Sequence, residues 1–187
     1  ILLKNDDILP LKPDQKVALI GDFAKVPRYQ GAGSSLVNPT KLPSLIDMFE
    51  RENDINFVGF ARGFKRRGGT SSRLIQEAIT LAQQADVVVL CLGLDEAKEA
   101  EGIDRADMKL AENQLDLVRK LTKINERIVV VYSGGGPVEM PFSADVSAII
   151  NAGLAGQGGA EALTNILTGR TNPSGKLAQT WPHKYGD

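Results

Sequence analysis

The sequence has few of the residues on which several common kinds of protein depend. Among its 187 residues there is one cysteine, Cys91, and one histidine, His183. A single cysteine cannot form an internal disulfide, so the fold does not rest on oxidation. One histidine and one cysteine also exclude a zinc site of the familiar type, and no metal is expected. We expect Cys91 to be a buried, inert thiol and His183 to lie on the surface of the C-terminal tail.

An excess of charge of one sign is also missing. The 22 Lys and Arg residues nearly balance 23 Asp and Glu residues, which gives a formal net charge of -1. Because nucleic acids and anionic membrane surfaces attract basic proteins, we expect neither as the main partner. Arg62, Lys65, Arg66 and Arg67 form a basic cluster, which we interpret as a solvated loop.

Long hydrophobic runs are absent as well. No apolar stretch approaches the roughly 20 residues of a membrane-spanning helix, and no signal peptide opens the sequence. The chain begins at Ile1 rather than at methionine, so we expect it to be part of a longer protein whose secretion signal could lie elsewhere. The localisation therefore stays open, with the cytoplasm favoured over secretion.

Short runs of aliphatic and β-branched residues recur along the chain. Three of them are apolar almost throughout, which is typical of parallel strands covered on both faces. They span residues 16–21, 86–93 and 127–133. Weaker strands are predicted over 55–60 and 146–152, and alternation over 175–181 predicts a strand at the edge of the sheet.

Apolar residues at helical spacing separate most of these strands. The predicted helices lie over residues 42–49, 74–82, 115–121 and 160–167. The alternation of strand and helix predicts an α/β fold, a doubly wound, mostly parallel six-stranded sheet sandwiched by helices. No repeat or interior linker interrupts the pattern, so residues 1–187 are predicted to form a single domain.

Ligands of open α/β sheets bind beside the loops that leave the carboxyl ends of the strands. This rule selects three segments, one after each of the strongly apolar strands. They are residues 31–35, 95–105 and 134–137. We therefore expect catalytic and binding residues in these three loops.

The loop over 95–105 is rich in carboxylates. Its acidic residues are Asp95, Glu96, Glu99, Glu101 and Asp104. One interpretation is a solvated acidic turn, and the other is a general acid, because a carboxyl group sheltered from water among carboxylates has a raised pKa. Glu101 is the best candidate, since Gly102 lets a substrate approach the backbone closely. We expect Asp104 and Arg105 to pair with each other and hold the loop.

The loop over 31–35 combines glycine with serine, as phosphate-binding loops also do. It lacks the third glycine of the dinucleotide fingerprint and the Gly-Lys-Ser/Thr of a P-loop, and Pro39 and Pro43 delay the next helix. We therefore expect no nucleotide cofactor. Ser34 and Ser35 are better explained as hydroxyl groups that bind a sugar. A serine hydrolase is excluded because there is no Gly-x-Ser-x-Gly elbow.

Several motifs along the chain occur together in one known family. They are Lys4-Asn5-Asp6 with Leu9-Pro10-Leu11, Val17-Ala18-Leu19-Ile20-Gly21, Gly31-Ala32-Gly33-Ser34-Ser35, Glu101-Gly102-Ile103-Asp104-Arg105, Asn113-Gln114, Gly156-Gln157-Gly158-Gly159, and residues 167–177 and 180–182. In this order they resemble the second domain of glycoside hydrolase family 3. Each motif is weak by itself, but the combination is specific.

The resemblance implies part of a retaining β-glycosidase, a β-glucosidase that hydrolyses nonreducing-end β-glucosides or oligosaccharides. In such enzymes the nucleophile, an Asp, belongs to a barrel domain that is absent from this chain and is its expected partner. The matching motif assigns the general acid/base to Glu101. The Gly-x-Gly-Ser match assigns sugar binding to Ser34, with Gly33 and Ser35 beside it. The isolated domain is expected to be inactive.

Departures from the family's pattern leave alternatives open. The acidic loop reads Ala100-Glu101-Gly102 where many relatives have Ser-Gly-Glu-Gly, so Glu99 is a rival proton donor. Asp104 and Arg105 match motif positions that we assign to loop architecture rather than to bond making. Trp181 is either a sugar platform or, as we favour, a packing residue.

Other activities are also compatible with the resemblance. The enzyme could act as a β-xylosidase, an N-acetylglucosaminidase or a glycoside phosphorylase. The glucosaminidase branch generally takes its acid/base from the first domain and would not need Glu101. A non-enzymatic alternative is a carbohydrate-binding or purely structural module.

Overall fold

A single sheet forms the centre of the computed structural model, which describes residues 1–182 and 184–186. Within those residues it has the strands β1 (Leu2–Asn5), β2 (Lys16–Ile20), β3 (Asn56–Ala61), β4 (Val87–Gly93), β5 (Ile128–Ser133) and β6 (Ala148–Asn151). Their order is β1-β6-β5-β4-β2-β3, with β1 antiparallel to β6 and the other pairs parallel. The predicted sheet is confirmed. His183, which we expected on the surface, lies outside the described residues.

The most apolar strand lies at the middle of the sheet. All 7 residues of β4 are buried, and the strand runs between β2 and β5. Successive side chains of a strand point to opposite faces, so complete burial means that both faces are covered. The three continuous apolar runs of the sequence are these three neighbouring strands.

Helices cover the sheet in two packed groups. Among the described residues they are α1 (Asp22–Lys25), α2 (Leu45–Phe49), α3 (Ser72–Ala82), α4 (Glu112–Leu121) and α5 (Gly159–Leu167). Helix α2 packs on α1 and α5, and α3 packs on α4. All but α1 coincide with predicted helices, and α1 is too short to show a helical period. None of these helices, within the described part of the chain, is long and apolar enough to cross a membrane.

The antiparallel edge of the sheet differs from the prediction. We expected residues 175–181 to form an edge strand of the sheet, but these residues, all of them described, contain no strand. Strand β1 takes that place, where Leu2 pairs with Ile150 and the α-amino group of Ile1 donates to the Asn151 carbonyl at 2.8 Å. Residues 175–180 are exposed, so their alternation does not mark a buried face.

Trp181 packs on the sheet beside the end of β5. Its ring lies edge-on to Tyr132, with the ring centroids 5.5 Å apart. The Tyr132 hydroxyl donates to the Gly136 carbonyl at 2.8 Å. This contact gives Trp181 the packing role that we favoured, and it helps to fix the loop that follows β5.

Candidate functional site

The three loops that the sequence selected meet at the carboxyl edge of β2, β4 and β5. The backbone N–H of Glu101, in the loop after β4, donates to the Ala32 carbonyl, in the loop after β2, at 3.0 Å. The backbone N–H of Gly135, after β5, donates to Oε2 of Glu99 at 2.8 Å. Parallel neighbouring strands bring these loops to one edge, and direct hydrogen bonds then join them.

Ser34 and Glu101 form the centre of this region. The backbone N–H of Ser34 donates to Oε2 of Glu101 at 2.9 Å, and the Ser34 hydroxyl donates to the same oxygen. Both residues are exposed. The structure therefore brings together the residues predicted as acid/base and as sugar ligand, which are 67 positions apart in the chain.

Gly33 allows the two loops to approach this closely. Its φ of 105° lies in the region that favours glycine. A Cβ atom at this position would lie 2.7 Å from the Cβ of Glu101 and 3.1 Å from its Oε2. Any side chain here would displace Glu101, so Gly33 acts on the site through its small size.

The Ser34 contacts lower the pKa of the Glu101 carboxyl. The hydroxyl contributes most and the backbone N–H second, because both bonds stabilise the charged form. The sequence-based expectation of a raised pKa required shelter from water, and in this chain the carboxyl is exposed. The domain by itself therefore holds Glu101 as a carboxylate.

A shallow, widely open depression of about 430 Å³ surrounds this pair. Its lining residues are Gly31, Ala32, Ser34, Ser35, Glu99, Ala100 and Glu101. The volume falls within the roughly 300–1,000 Å³ range of small-molecule sites. The polar groups that line it are hydroxyls and carboxylates, which are suited to the hydroxyl groups of a sugar.

Glu99 is held more firmly than Glu101. Its carboxylate accepts from the Gly135 N–H and lies 3.5 Å from Nη2 of Arg28. Its side chain is 19% exposed, whereas that of Arg28 is 2% exposed. Glu99, the alternative proton donor, is therefore held by its contacts with Gly135 and Arg28, although it borders the same depression.

Comparison with known proteins then identifies the family. The model of the "Glycosyl hydrolase family 3 C-terminal domain" matches residues 1–187 of the chain. The chain belongs to glycoside hydrolase family 3. The resemblance inferred from the motifs is confirmed over its whole length.

Family 3 relatives with different activities resemble the chain. A thermostable β-glucosidase B of Acetivibrio thermocellus is 43% identical over 98% of this chain and 25% of the relative. An exo-α-(1→6)-L-arabinopyranosidase of Bifidobacterium breve is 39% identical over 100% of this chain and 26% of the relative. An exo-1,4-β-xylosidase of Emericella nidulans is 36% identical over 100% and 23%. The chain thus spans about a quarter of the length of these relatives.

A solved family 3 structure has the same fold. The β-glucosidase of Bifidobacterium adolescentis superimposes with a TM-score of 0.92 at 42% sequence identity, over 98% of this chain and 27% of that structure. The α/β architecture derived from the alternating strands and helices is therefore that of the C-terminal domain of family 3 enzymes.

The expected pairing of Asp104 with Arg105 is wrong. Among the described residues Asp104 forms no ion pair with Arg105 and is exposed. Arg105 instead donates from Nη1 to the Pro137 carbonyl at 3.0 Å. Arg105 thereby joins the acidic loop of the family 3 domain to the loop after β5.

The interpretation of the basic cluster as a solvated loop is wrong for Arg66, whose side chain is 11% exposed, whereas that of Arg62 is 48% exposed. Arg62 and Arg66 both bind the buried Asp22, at 2.6 Å and 3.4 Å. Arg66 also lies 2.9 Å from Glu96 and stacks over Phe23 at 4.2 Å from the ring centroid. No local pattern predicts this network, because its partners come from separate segments of the family 3 domain.

Cys91 is the inert thiol that we predicted. It is 3% exposed, and burial raises the pKa of its thiol to about 12. Within the described residues, no cluster of three or more His, Cys, Asp or Glu side chains is arranged to hold a metal ion.

Proposed function

We propose that this domain supplies the general acid/base and part of the sugar-binding site of a retaining β-glucosidase. Glu101 is the acid/base, and Ser34 binds the sugar with Gly33 and Ser35 beside it. The observation that carries the proposal is the bonding of Ser34 to Glu101 at the carboxyl edge of the sheet. It places a carboxyl group and a hydroxyl at the mouth of one depression.

The first chemical step requires a proton on the glycosidic oxygen. Protonated Glu101 donates it while the nucleophilic carboxylate of the barrel domain attacks the anomeric carbon, and the leaving alcohol departs. In the second step Glu101, now a carboxylate, takes a proton from water as the water attacks the same carbon, and the bond between that carbon and the nucleophilic carboxylate breaks. A retaining mechanism of this kind needs the two carboxyl groups roughly 5–5.5 Å apart.

Ser34 links sugar binding to the protonation of Glu101. In the free domain its hydroxyl is bound to Glu101 and lowers the pKa of that carboxyl. A sugar that takes the hydroxyl as its own ligand removes this bond. A barrel domain over the site excludes water, and both changes raise the pKa toward the value that a general acid needs.

Exposed apolar side chains beside the pair support a covering partner domain. Leu36 is 65% exposed, Val37 62% and Ile103 52%. Leu36 and Val37 follow the Ser34 loop, and Ile103 follows Glu101 by two positions. Apolar groups clustered beside a polar site are typical of surfaces that another domain covers.

Glu101 is a better proton donor than Glu99 because it is free to move toward a substrate. Within the described residues its carboxylate binds Ser34 alone, through one oxygen. Glu99 is bound to Gly135 and faces Arg28, so these contacts hold its carboxylate against the loop. We therefore assign proton transfer to Glu101, and we assign to Glu99 the role of holding the loop in place.

β-Xylosidase specificity is a second candidate, supported by the xylosidase that is 36% identical to this chain. N-acetylglucosaminidase and phosphorylase activities are further alternatives. Rates on a panel of aryl glycosides, measured with and without phosphate, distinguish these three activities from β-glucosidase activity. A carbohydrate-binding module without catalysis predicts tight glucose binding by the isolated domain in calorimetry, whereas half of a site predicts negligible binding.

Substitution of Glu101 in the full-length polypeptide tests the proposed role. Glu101→Ala should lower kcat/KM for substrates with poor leaving groups by about 10²–10⁴-fold, the usual contribution of acid/base catalysis. Activated aryl glycosides should lose far less, because their leaving groups depart without a proton. Steady-state kinetics on both substrate types measure the difference.

Glu99→Gln is the comparison variant, and its leaving-group dependence should be much weaker than that of Glu101→Ala. It removes a carboxylate two residues away and keeps an acceptor for the Gly135 N–H. Equal losses on both substrate types in Glu101→Ala would remove Glu101 from the role. A leaving-group dependence found in Glu99→Gln alone would transfer the role to Glu99.

A further inference from the structure

Arg28 is a buried cation that the proposed chemistry does not use. It lies between α1 and the Ser34 loop, and the residue is 5% exposed. Burial of a guanidinium is costly unless it is paired and hydrogen-bonded. The partners of Arg28 therefore indicate its structural role.

Those partners belong to the acidic loop. Nη2 of Arg28 donates to the backbone carbonyl of Glu99 at 2.7 Å. The same nitrogen lies 3.5 Å from Oε2 of Glu99, and Nη1 lies 3.6 Å from Oε1 of Glu96. Arg28 thus contacts the backbone two residues before Glu101, at the point where the loop turns toward the depression.

Glu99 extends the contact to a third loop. Its carboxylate faces Arg28 and also accepts from the Gly135 N–H at 2.8 Å. Arg28 and Glu99 therefore tie together the segments after β2, β4 and β5, underneath the exposed carboxyl of Glu101. On the other side, Glu96 is bound by Arg66 at 2.9 Å, which anchors the start of the loop.

We propose that Arg28 is a positioning residue that, with Glu99, fixes the backbone at residues 99–101 and so sets the direction of the Glu101 carboxyl. The inference rests on the proposed role of Glu101. The planar guanidinium suits this task because it directs several N–H donors at fixed angles and keeps its charge when buried. A lysine presents a compact ammonium and cannot reach the carbonyl and both carboxylates in the same way.

The test measures proton donation separately from folding. In the full-length polypeptide, Arg28→Met should lower kcat/KM, which reports the step that releases the leaving group, by about 100-fold on phenyl β-glucoside, the cost of a displacement of about 1 Å at a catalytic group. On 2,4-dinitrophenyl β-glucoside the loss should stay within about 3-fold, because this leaving group needs no proton. Arg28→Lys should fall between the wild type and Arg28→Met.

Arg62→Met is the matched control. Arg62 binds Asp22 in the neighbouring network at 2.6 Å, and its side chain is 48% exposed. It makes no contact with the acidic loop among the described residues. This variant should leave the ratio of the two rates unchanged.

Where Arg28→Met does not fold, Arg28→Lys and Glu99→Gln carry the test. Both keep most of the buried volume, and a raised dinitrophenyl-to-phenyl rate ratio is expected in each. Equal losses on the two substrates, or no loss, would overturn the positioning role. Glu101→Gln, measured in parallel, separates the acid/base role of Glu101 from the positioning role of Arg28. If Glu101→Gln does not change the dinitrophenyl-to-phenyl rate ratio, the acid/base assignment is refuted, whatever the Arg28 variants show.

Discussion

At the scale of single residues, two glutamates in one loop differ in what surrounds them. Glu99 and Glu101 both border the depression. The carboxylate of Glu99 is bound to the Gly135 N–H and faces Arg28, whereas that of Glu101 is exposed and bound by Ser34. The surroundings of a carboxyl group, not its type, decide between a structural and a chemical role.

Ser34→Ala should raise the pKa of Glu101 in the free enzyme. The Ser34 hydroxyl is the largest cause that lowers this pKa, and its removal leaves the weaker backbone bond. The basic limb of the kcat/KM profile reports the general acid of the free enzyme, so it should move to higher pH. A pH profile over the whole range measures the shift.

Ser35→Ala is the control for this prediction, since no hydrogen bond joins its hydroxyl to Glu101 in the described structure. Its basic limb should stay in place. A limb that stays or moves to lower pH in Ser34→Ala would show that the hydroxyl does not govern the proton of the catalytic acid.

Some residues of the candidate site could be predicted from a local sequence pattern, and others could not. The meeting of Ser34 and Glu101 could be predicted, because each lies in the connection that leaves the carboxyl end of a strongly apolar strand. Arg28 and Asp22 could not, since their roles depend on partners from other segments. The pairing of Asp104 with Arg105 failed for the same reason, because the Pro137 carbonyl that Arg105 binds is remote in sequence.

At the scale of elements, length decided what the sequence could predict. Strand β4, with 7 buried residues, carries an apolar run that only a covered strand or helix explains. Strand β1 and helix α1 have 4 residues each, too few for a period to appear. Their positions follow from packing against elements that are distant in the chain.

Gly33→Ala should damage the contact between the loops after β2 and β4. The new Cβ would meet the Cβ of Glu101 at 2.7 Å, at a φ of 105° that alanine adopts poorly. A displacement of about 1 Å would lower turnover on poor leaving groups by roughly 100-fold. Kinetics of the full-length variant measure the loss.

Gly31→Ala supplies the comparison for this loop. A Cβ there would have the Ser35 hydroxyl as its nearest neighbour, at 3.5 Å, which is an ordinary contact. Its turnover should stay close to that of the wild type. Similar losses in both variants would mean that general loop strain, not the approach to Glu101, explains the effect.

At the scale of the whole molecule, the proposed function makes this domain one wall of a site. Its depression is widely open, and the Glu101 carboxyl that borders it is exposed. The chain spans about a quarter of the length of its relatives. A barrel domain that closes the depression would supply the nucleophile, exclude water and raise the pKa of Glu101.

The most direct measurement is the product formed by the full-length Glu101→Ala variant from 2,4-dinitrophenyl β-glucoside in the presence of azide. Azide needs no general base, so it should attack the glycosyl-enzyme intermediate from the face that water uses, restore turnover and give β-glucosyl azide. Recovery of the α-anomer, or no rescue with the free sugar as the only product, would contradict the assignment of Glu101 as the acid/base of a retaining enzyme.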